Sequence, residues 1–384
     1  MRVTRTEFLH AAAGAALSTS AVAAPRPLAK IKDLIIYKDP NFYSAFPSIV
    51  RRPDGELLAA FRRAPDRRRV GAKGITHTDP NSNLVLVRSR NNGETWTTTP
   101  ELIFAHPEAG SQDPCMVQLR DGSIVCASYG WYWLPPSVQM PTDLKAPYRF
   151  TGGYIVRSLD GGGTWQGPYI PPPVPGRNLK DAFGQPLPSY NRGAMCQGRD
   201  GRLYWVVAYG REDKMYPSDL HLLISADGGR TWTYSCRVAW DDKVEFNETS
   251  LYETPKGDLV AFIRTAKFDD HTVIARSTDG GKSFERWQDA GFQGHPHHAL
   301  RLPDNRVWLV YGYRHKPYGI RARILDAECT NIATAPEIVL REDGGSGDLG
   351  YPWSAPLPGG RVITTYYFNT DNEGPRWIAG TICG

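Results

Sequence analysis

Apolar residues along the chain come in short blocks separated by tight-turn signals, and the blocks recur. Six times a brief start leads into an apolar run, an Asp-Gly-like turn and a second apolar run. The first three units are Phe46-Pro-Ser-Ile-Val to Asp54-Gly55, Asp113-Pro-Cys-Met-Val to Asp121-Gly122, and Asn191-Arg-Gly-Ala-Met to Asp200-Gly201. The others are Glu248-Thr-Ser-Leu-Tyr to Lys256-Gly257, Pro296-His-His-Ala-Leu to Asp304-Asn305, and Tyr351-Pro-Trp-Ser-Ala to Gly359-Gly360. Runs this short, bounded by Gly, Pro, Asp and Asn, predict strands joined by hairpins.

A second repeat lies out of phase with the first. Ser89-Arg-Asn-Asn-Gly-Glu-Thr-Trp96, Ser158-Leu-Asp-Gly-Gly-Gly-Thr-Trp165, Ser225-Ala-Asp-Gly-Gly-Arg-Thr-Trp232 and Ser277-Thr-Asp-Gly-Gly-Lys-Ser-Phe284 share one pattern and start 69, 67 and 52 residues apart. Such a segment closes a hairpin: the Asp or Asn side chain holds the turn backbone, Gly supplies a positive φ, and the aromatic packs under the next strand. The first repeat recurs about every 61 residues, room for four strands and their loops. Six such units predict an all-β fold, a six-bladed β-propeller. Closure requires residues 33–37 to complete the last blade beside residues 376–382.

Composition sharpens this picture. The 384 residues are 41% hydrophobic and 22% charged, with 38 Gly, 31 Pro, 19 Tyr and 11 Trp, a balance suited to a globular chain of strands and turns. Net charge is +5 with the basic residues scattered, so nucleic acid is not an expected partner, while a small anionic ligand stays open. Residues 1–23 read as a secretory signal peptide: Arg2 and Arg5 precede a small apolar stretch that ends in Ala21-Val22-Ala23. Export to the periplasm or medium is the expectation, with one propeller domain over residues 24–384. No other segment has the roughly 20 apolar residues of a membrane span. The six cysteines are far apart without a C-x-x-C pair, so buried thiols are expected; no cofactor motif is present.

In a propeller the innermost strands start around one central funnel. These starts supply Ala45 and Phe46, Asp113, Arg192, Glu248, His295, His297, His298 and Tyr351, and nearby segments add Arg264, Arg314 and Arg321. Arginines with carboxylates, His and Tyr suit an anionic ligand, because guanidinium forks bind carboxylates bidentately. Three insertions, residues 62–78, 131–151 and 167–189, are expected at the rim, where Trp131-Tyr132-Trp133 forms either a sugar platform or cover for its own insertion.

These motifs resemble the sialidase (neuraminidase) superfamily. Asn247-Glu248-Thr-Ser-Leu-Tyr onward to Arg264 is similar to the stretch carrying the glutamate that activates the nucleophile and one carboxylate-binding arginine; Gly350-Tyr351-Pro-Trp resembles the stretch with the tyrosine nucleophile. The resemblance implies a glycan substrate and an exo-glycosidase acting on a terminal acidic sugar. It makes Tyr351 the nucleophile, Glu248 its activator, and Arg264 with Arg314 or Arg321 the carboxylate clamp; from their places at the funnel, Arg192, Asp113, His295, His297 and His298 are expected to join them as substrate-binding residues. A neutral phenol avoids the repulsion a carboxylate nucleophile would meet beside an anionic anomeric centre.

Two departures alter the expectation. The first triad arginine of sialidases is replaced by Ala45, and the acid-base position falls near His77, with Asp79 two residues on. His, Tyr and Arg at the funnel also suit a lyase that cleaves a uronate linkage by β-elimination. A non-catalytic glycan-binding propeller is the third reading. A metal site at His295, His297 and His298 is not expected, and hydrogen-bonded histidines lining a polar channel are.

Overall fold

The computed structural model describes residues 28–72, 77–135, 137–139, 147–211 and 214–384; the expected signal peptide lies outside them. Its strands form six antiparallel sheets arranged as a six-bladed β-propeller. Blade 1 runs in chain order through Phe42–Arg51, Leu57–Pro65, Asn83–Ser89 and Glu101–Phe104. The innermost strands of the next four blades are Cys115–Gln118, Cys196–Gln197, Glu245–Glu253 and His297–Arg301. In the second blade Gly110–Ser111 adds a short piece to the same edge.

Blade 6 is closed by the two ends of the described chain. Gly350–Pro356 is innermost, followed by Val362–Phe368 and Trp377–Cys383, and Lys30–Tyr37 pairs antiparallel with the last of these. The expected closure is thus present, and it begins three residues earlier than the sequence suggested. No helix among the described residues is long and apolar enough to cross a membrane.

Middle strands are covered on both faces by neighbouring blades, so they read as continuous apolar runs rather than alternating ones. Leu57, Leu58, Ala59, Ala60 and Phe61 are all fully buried, as are Val260 to Ile263. Burying each such large side chain contributes about 1.5–3 kcal/mol. The core is therefore a set of layers between blades, with Trp205 and Trp308 among its largest members.

The four repeated turns close as the sequence implies. In each, the serine hydroxyl donates to the Asn or Asp Oδ1 and accepts the N–H of the second glycine-position residue, as in Ser225 to Asp227 at 2.9 Å and Gly229 to Ser225 at 2.8 Å. Asp227 Oδ1 also accepts the Thr231 N–H at 2.9 Å, and Trp232 Nε1 donates to the Gly229 carbonyl at 3.2 Å. These turns join third to fourth strands, and the Asp-Gly turns join first to second. Both sets therefore lie at one end of the propeller, the lower end, while first-strand starts converge at the upper end.

All six cysteines are free, four of them buried. Trp131 and Trp133 pack on Tyr148, and Tyr132 packs on Phe183. Trp131 and Trp133 thus pack within their own insertion and Tyr132 against the next one, and all three remain half-buried.

Candidate active site

The strand that carries Tyr351 opens with a bulge. Its register shifts between Gly350 and Trp353, and Tyr351 takes φ 54°. A bulky side chain in the left-handed region costs about 1–3 kcal/mol, and a bulge re-aims the residue it carries. Blade 1 repeats the device: its register shifts between Ala45 and Ser48, and Phe46 takes φ 57°. The two rings meet edge to face at 4.7 Å.

Glu248 reaches Tyr351 from blade 4. Its Oε1 accepts the Tyr351 hydroxyl, and its Oε2 accepts Arg264 Nη1 at 2.6 Å. The same nitrogen donates to the Tyr351 oxygen at 3.2 Å. Arg314 lies 5.1 Å from the Tyr351 ring centre and donates to the Tyr367 hydroxyl at 2.9 Å and the Leu349 carbonyl at 3.0 Å. Arg264 Nη2 and Arg314 Nη1 make no hydrogen bond among the described residues, so each arginine keeps a hand for a ligand.

Beside this cluster Asp348 gathers a second one. Its Oδ1 accepts the hydroxyls of Tyr43 and Tyr367, both at 3.0 Å, and its Oδ2 accepts Arg376 Nε at 2.8 Å. His77 Nε2 stands 3.6 Å from Asp348 Oδ1, and its ring packs on Phe46 at 5.3 Å and Tyr43 at 5.7 Å.

Electrostatics set the protonation states. Burial raises the Tyr351 phenol, the Glu248 charge raises it further, and Arg264 and Arg314 oppose them. Burial would also raise Glu248, but Arg264, the Tyr351 hydrogen bond and Arg192 hold it below its usual value. The resting pair is therefore a neutral phenol donating to an ionised carboxylate, the state that a base-assisted nucleophile requires. Desolvation lowers His77, Asp348 opposes this, and the Arg62, Arg314 and Arg376 charges reinforce it. With 52% of its side chain still open to solvent, the downward direction is what matters: at neutral pH the ring is uncharged. Burial, with the nearby Glu248 charge, pushes Asp113 up to about 7.

A family model for the BNR repeat-like domain matches residues 142–363. The chain belongs to the BNR repeat-like family. This family member is 57% identical to a Dyadobacter fermentans protein of unknown function, with 93% of this chain and 98% of that one covered at a TM-score of 0.88. It shares its fold with the Hadza microbial sialidase Hz136 (16% identity, TM-score 0.60) and with the Trypanosoma rangeli sialidase solved with sialic acid (12%, 0.60). The matches cover 88% and 91% of this chain but only 65% and 58% of those two. A search of curated proteins gave no match. The propeller is of the sialidase-like type.

Other expected site residues of this BNR repeat-like chain are distributed differently. Asp79 is engaged by Arg67 and by the Asn81 N–H, so His77 is the member of that pair facing the Tyr351 cluster. Arg321 is buried away from Tyr351, bonded to the carbonyls of Arg341 and Pro317, paired with Glu337 at 3.3 Å and stacked on Tyr313 at 4.8 Å; Arg314 takes the place beside Tyr351. Arg192 is 1% exposed, and it donates to the carbonyls of Pro47 (3.1 Å) and Tyr351 (3.2 Å) from beneath the Tyr351 ring. It lies beneath the tyrosine ring, and its Nε and Nη1 are buried without a hydrogen-bond partner among the described residues.

The histidines also separate. His295 faces Asp270 at 3.4 Å with His315 on the same carboxylate. His297 is buried against the Thr272 hydroxyl at 2.8 Å, while His298 stacks on Trp353 at 4.5 Å, lower on the axis. Sequence reasoning missed Asp348, Tyr43, Tyr367 and Arg376. The nearest signal was the position of Asp348 three residues before Tyr351.

Proposed function

We propose that the chain is an exported glycosidase with one propeller domain from residue 24 onward, releasing a terminal acidic sugar such as sialic acid from glycans. The observation that carries this reading is the hydrogen-bonded set Tyr351, Glu248 and Arg264, with Arg314 over the same ring. Arg264 and Arg314 bind the sugar carboxylate through their unoccupied nitrogens. Tyr351 attacks the anomeric carbon as its proton passes to Glu248. The bond to the leaving oxygen breaks, and that oxygen takes a proton from an acid. A water molecule then displaces Tyr351 with its proton taken by a base, and Glu248 returns the phenol proton.

His77, held by Asp348 and packed on Phe46, is the acid-base group in this scheme. The protonated ring, a minor fraction at neutral pH because burial lowers His77, gives its proton to the leaving oxygen, and the uncharged ring left behind is the base of the second step. The absence of an arginine at Ala45 leaves a clamp of two arginines, with the buried Arg62 directly across the strand pair from Ala45 adding positive potential.

The uncharged His77 and the missing first arginine also favour a second reading, β-elimination on a uronate. There His77 removes the proton α to the carboxylate, Tyr351 protonates the leaving oxygen, and a double bond forms in the ring. Incubating the purified protein with sialosides and with uronate polysaccharides separates the two. Free sialic acid supports the hydrolase; ultraviolet absorbance from an unsaturated uronate overturns it. Neither signal over a broad glycan panel points to a binding module.

A further inference from the structure

The lower end of the axis carries a cavity of about 660 Å³, opposite the Tyr351 cluster. Its floor is apolar, formed by Ile49, Met116, Met195, Ala299 and Ala355, with Trp353 and His298 at its back. Around it stand Arg51, Arg120, Arg199 and Arg301 against one carboxylate, Glu253.

The cations are not neutralised by their partners. Arg120 donates to the Gln197 carbonyl at 3.3 Å, Arg199 to the Thr254 carbonyl at 3.1 Å, and Arg301 to the Tyr252 hydroxyl at 3.0 Å. These are neutral acceptors that tie neighbouring blades together and leave the charges in place. Glu253 stands 3.8 Å from Arg199 and can balance one of the four. The Arg51 side chain makes no hydrogen bond or ion pair among the described residues, and its Nε is buried without a partner. The Gln118 Oε1 on the same wall is also buried and unpaired. Leaving buried polar atoms unsatisfied is costly, and a cationic ring over an apolar floor is complementary to an anion with an apolar body.

Arg192 separates this cavity from the upper cluster. Its guanidinium lies 4.6 Å from the Tyr351 ring and 5.2 Å from the Trp353 ring. A ligand below Trp353 therefore occupies a place distinct from one held by Arg264 and Arg314.

We propose that the lower cavity is a second ligand site, which takes an organic acid: a carboxylate or sulfonate seated among Arg51, Arg120, Arg199 and Arg301, with its apolar body on the methionine floor. The site is independent of the glycosidase reading and stands if that reading fails.

Titration calorimetry of the full chain with benzoate, benzenesulfonate and neutral benzyl alcohol tests this. Both anions bind and the alcohol does not, and raising the salt weakens binding because the cations are partly exposed. Arg51→Met lowers benzoate affinity at least about tenfold and Arg51→Lys, which keeps the charge, restores most of it. Neither changes the melting temperature appreciably, since Arg51 holds nothing else. Arg314→Met at the upper cluster leaves this binding intact. Benzoate binding that survives Arg51→Met and disappears with Arg314→Met belongs to the upper cluster and overturns the proposal. Equal binding of benzyl alcohol, or no anion binding at about 10 mM, also overturns it.

Discussion

Tyr351→Phe removes one oxygen from the centre of the upper cluster and little else. The ring keeps Phe46 at 4.7 Å on one side and the Arg192 and Arg314 guanidinium groups at 4.6 and 5.1 Å on its faces. Glu248 loses its hydroxyl donor but retains Arg264 at 2.6 Å, so no carboxylate is left buried and alone. Two bonds are lost: Arg264 Nη1 gives up the tyrosine oxygen but keeps Glu248, and the hydroxyl's bond to the charged carboxylate is worth about 1.5–3 kcal/mol. For a chain of this length a loss of 1 kcal/mol lowers the melting temperature by about 1–2 °C, so a fall of about 1.5–6 °C is expected. Turnover behaves differently. Nucleophile and base act as a unit, and its removal is expected to lower kcat by about 10⁴-fold or more. The assay is release of acidic sugar by the wild type and the variant, beside thermal unfolding of both. A variant that melts within this range and keeps kcat within about tenfold, about 1.4 kcal/mol of barrier, refutes Tyr351 as nucleophile.

Stability is expected to fall as pH drops below about 6.5. Burial pushes His221, His297 and His298 down to about 3, so the unfolded chain binds protons that the folded chain refuses, at up to about 1.4 kcal/mol per pH unit for each. Asp113, raised to about 7 by burial, works in the opposite sense, because its cost is relieved as pH falls toward its unfolded value; the three histidines outweigh it. Urea midpoints from pH 8 to 5 check this, and a midpoint that holds or rises below pH 6.5 contradicts it. Ala45→Arg is expected to destabilise by more than about 3 kcal/mol and to add no activity, since Ala45 is fully buried across the strand pair from the buried Arg62; an unchanged melting temperature counts against this packing. Asp227→Ala should cost about 0.5–1.5 kcal/mol through the bonds lost from the exposed Arg230 and Thr231 N–H groups, read as a lower urea midpoint with unchanged activity.

The parts of the molecule that were legible in the chain are those whose bonds close locally. Every bond of the Ser225–Trp232 turn lies within four residues, so residue types at fixed offsets reveal it, and repetition then gives the blade count. Tyr351 and Glu248 are 103 residues apart, and only resemblance to a family joined them. The Asp348 cluster has neither support: Tyr43 reaches it across 305 residues, and a lone Asp in a loop carries no pattern. The histidines illustrate a constraint that was available. Neighbours on a strand face opposite sides, so His297 and His298 were never able to line the same surface, and the structure sends one against Thr272 and the other toward the lower cavity. Phe46 and Tyr351 carry the same lesson into function. They occupy equivalent bulges in adjacent blades with nearly equal positive φ, and in the proposed mechanism the two differ by a hydroxyl and by the Glu248 that faces it. The repeated scaffold supplies the strained, inward-aimed position; the chemistry depends on which blade places a carboxylate beside it.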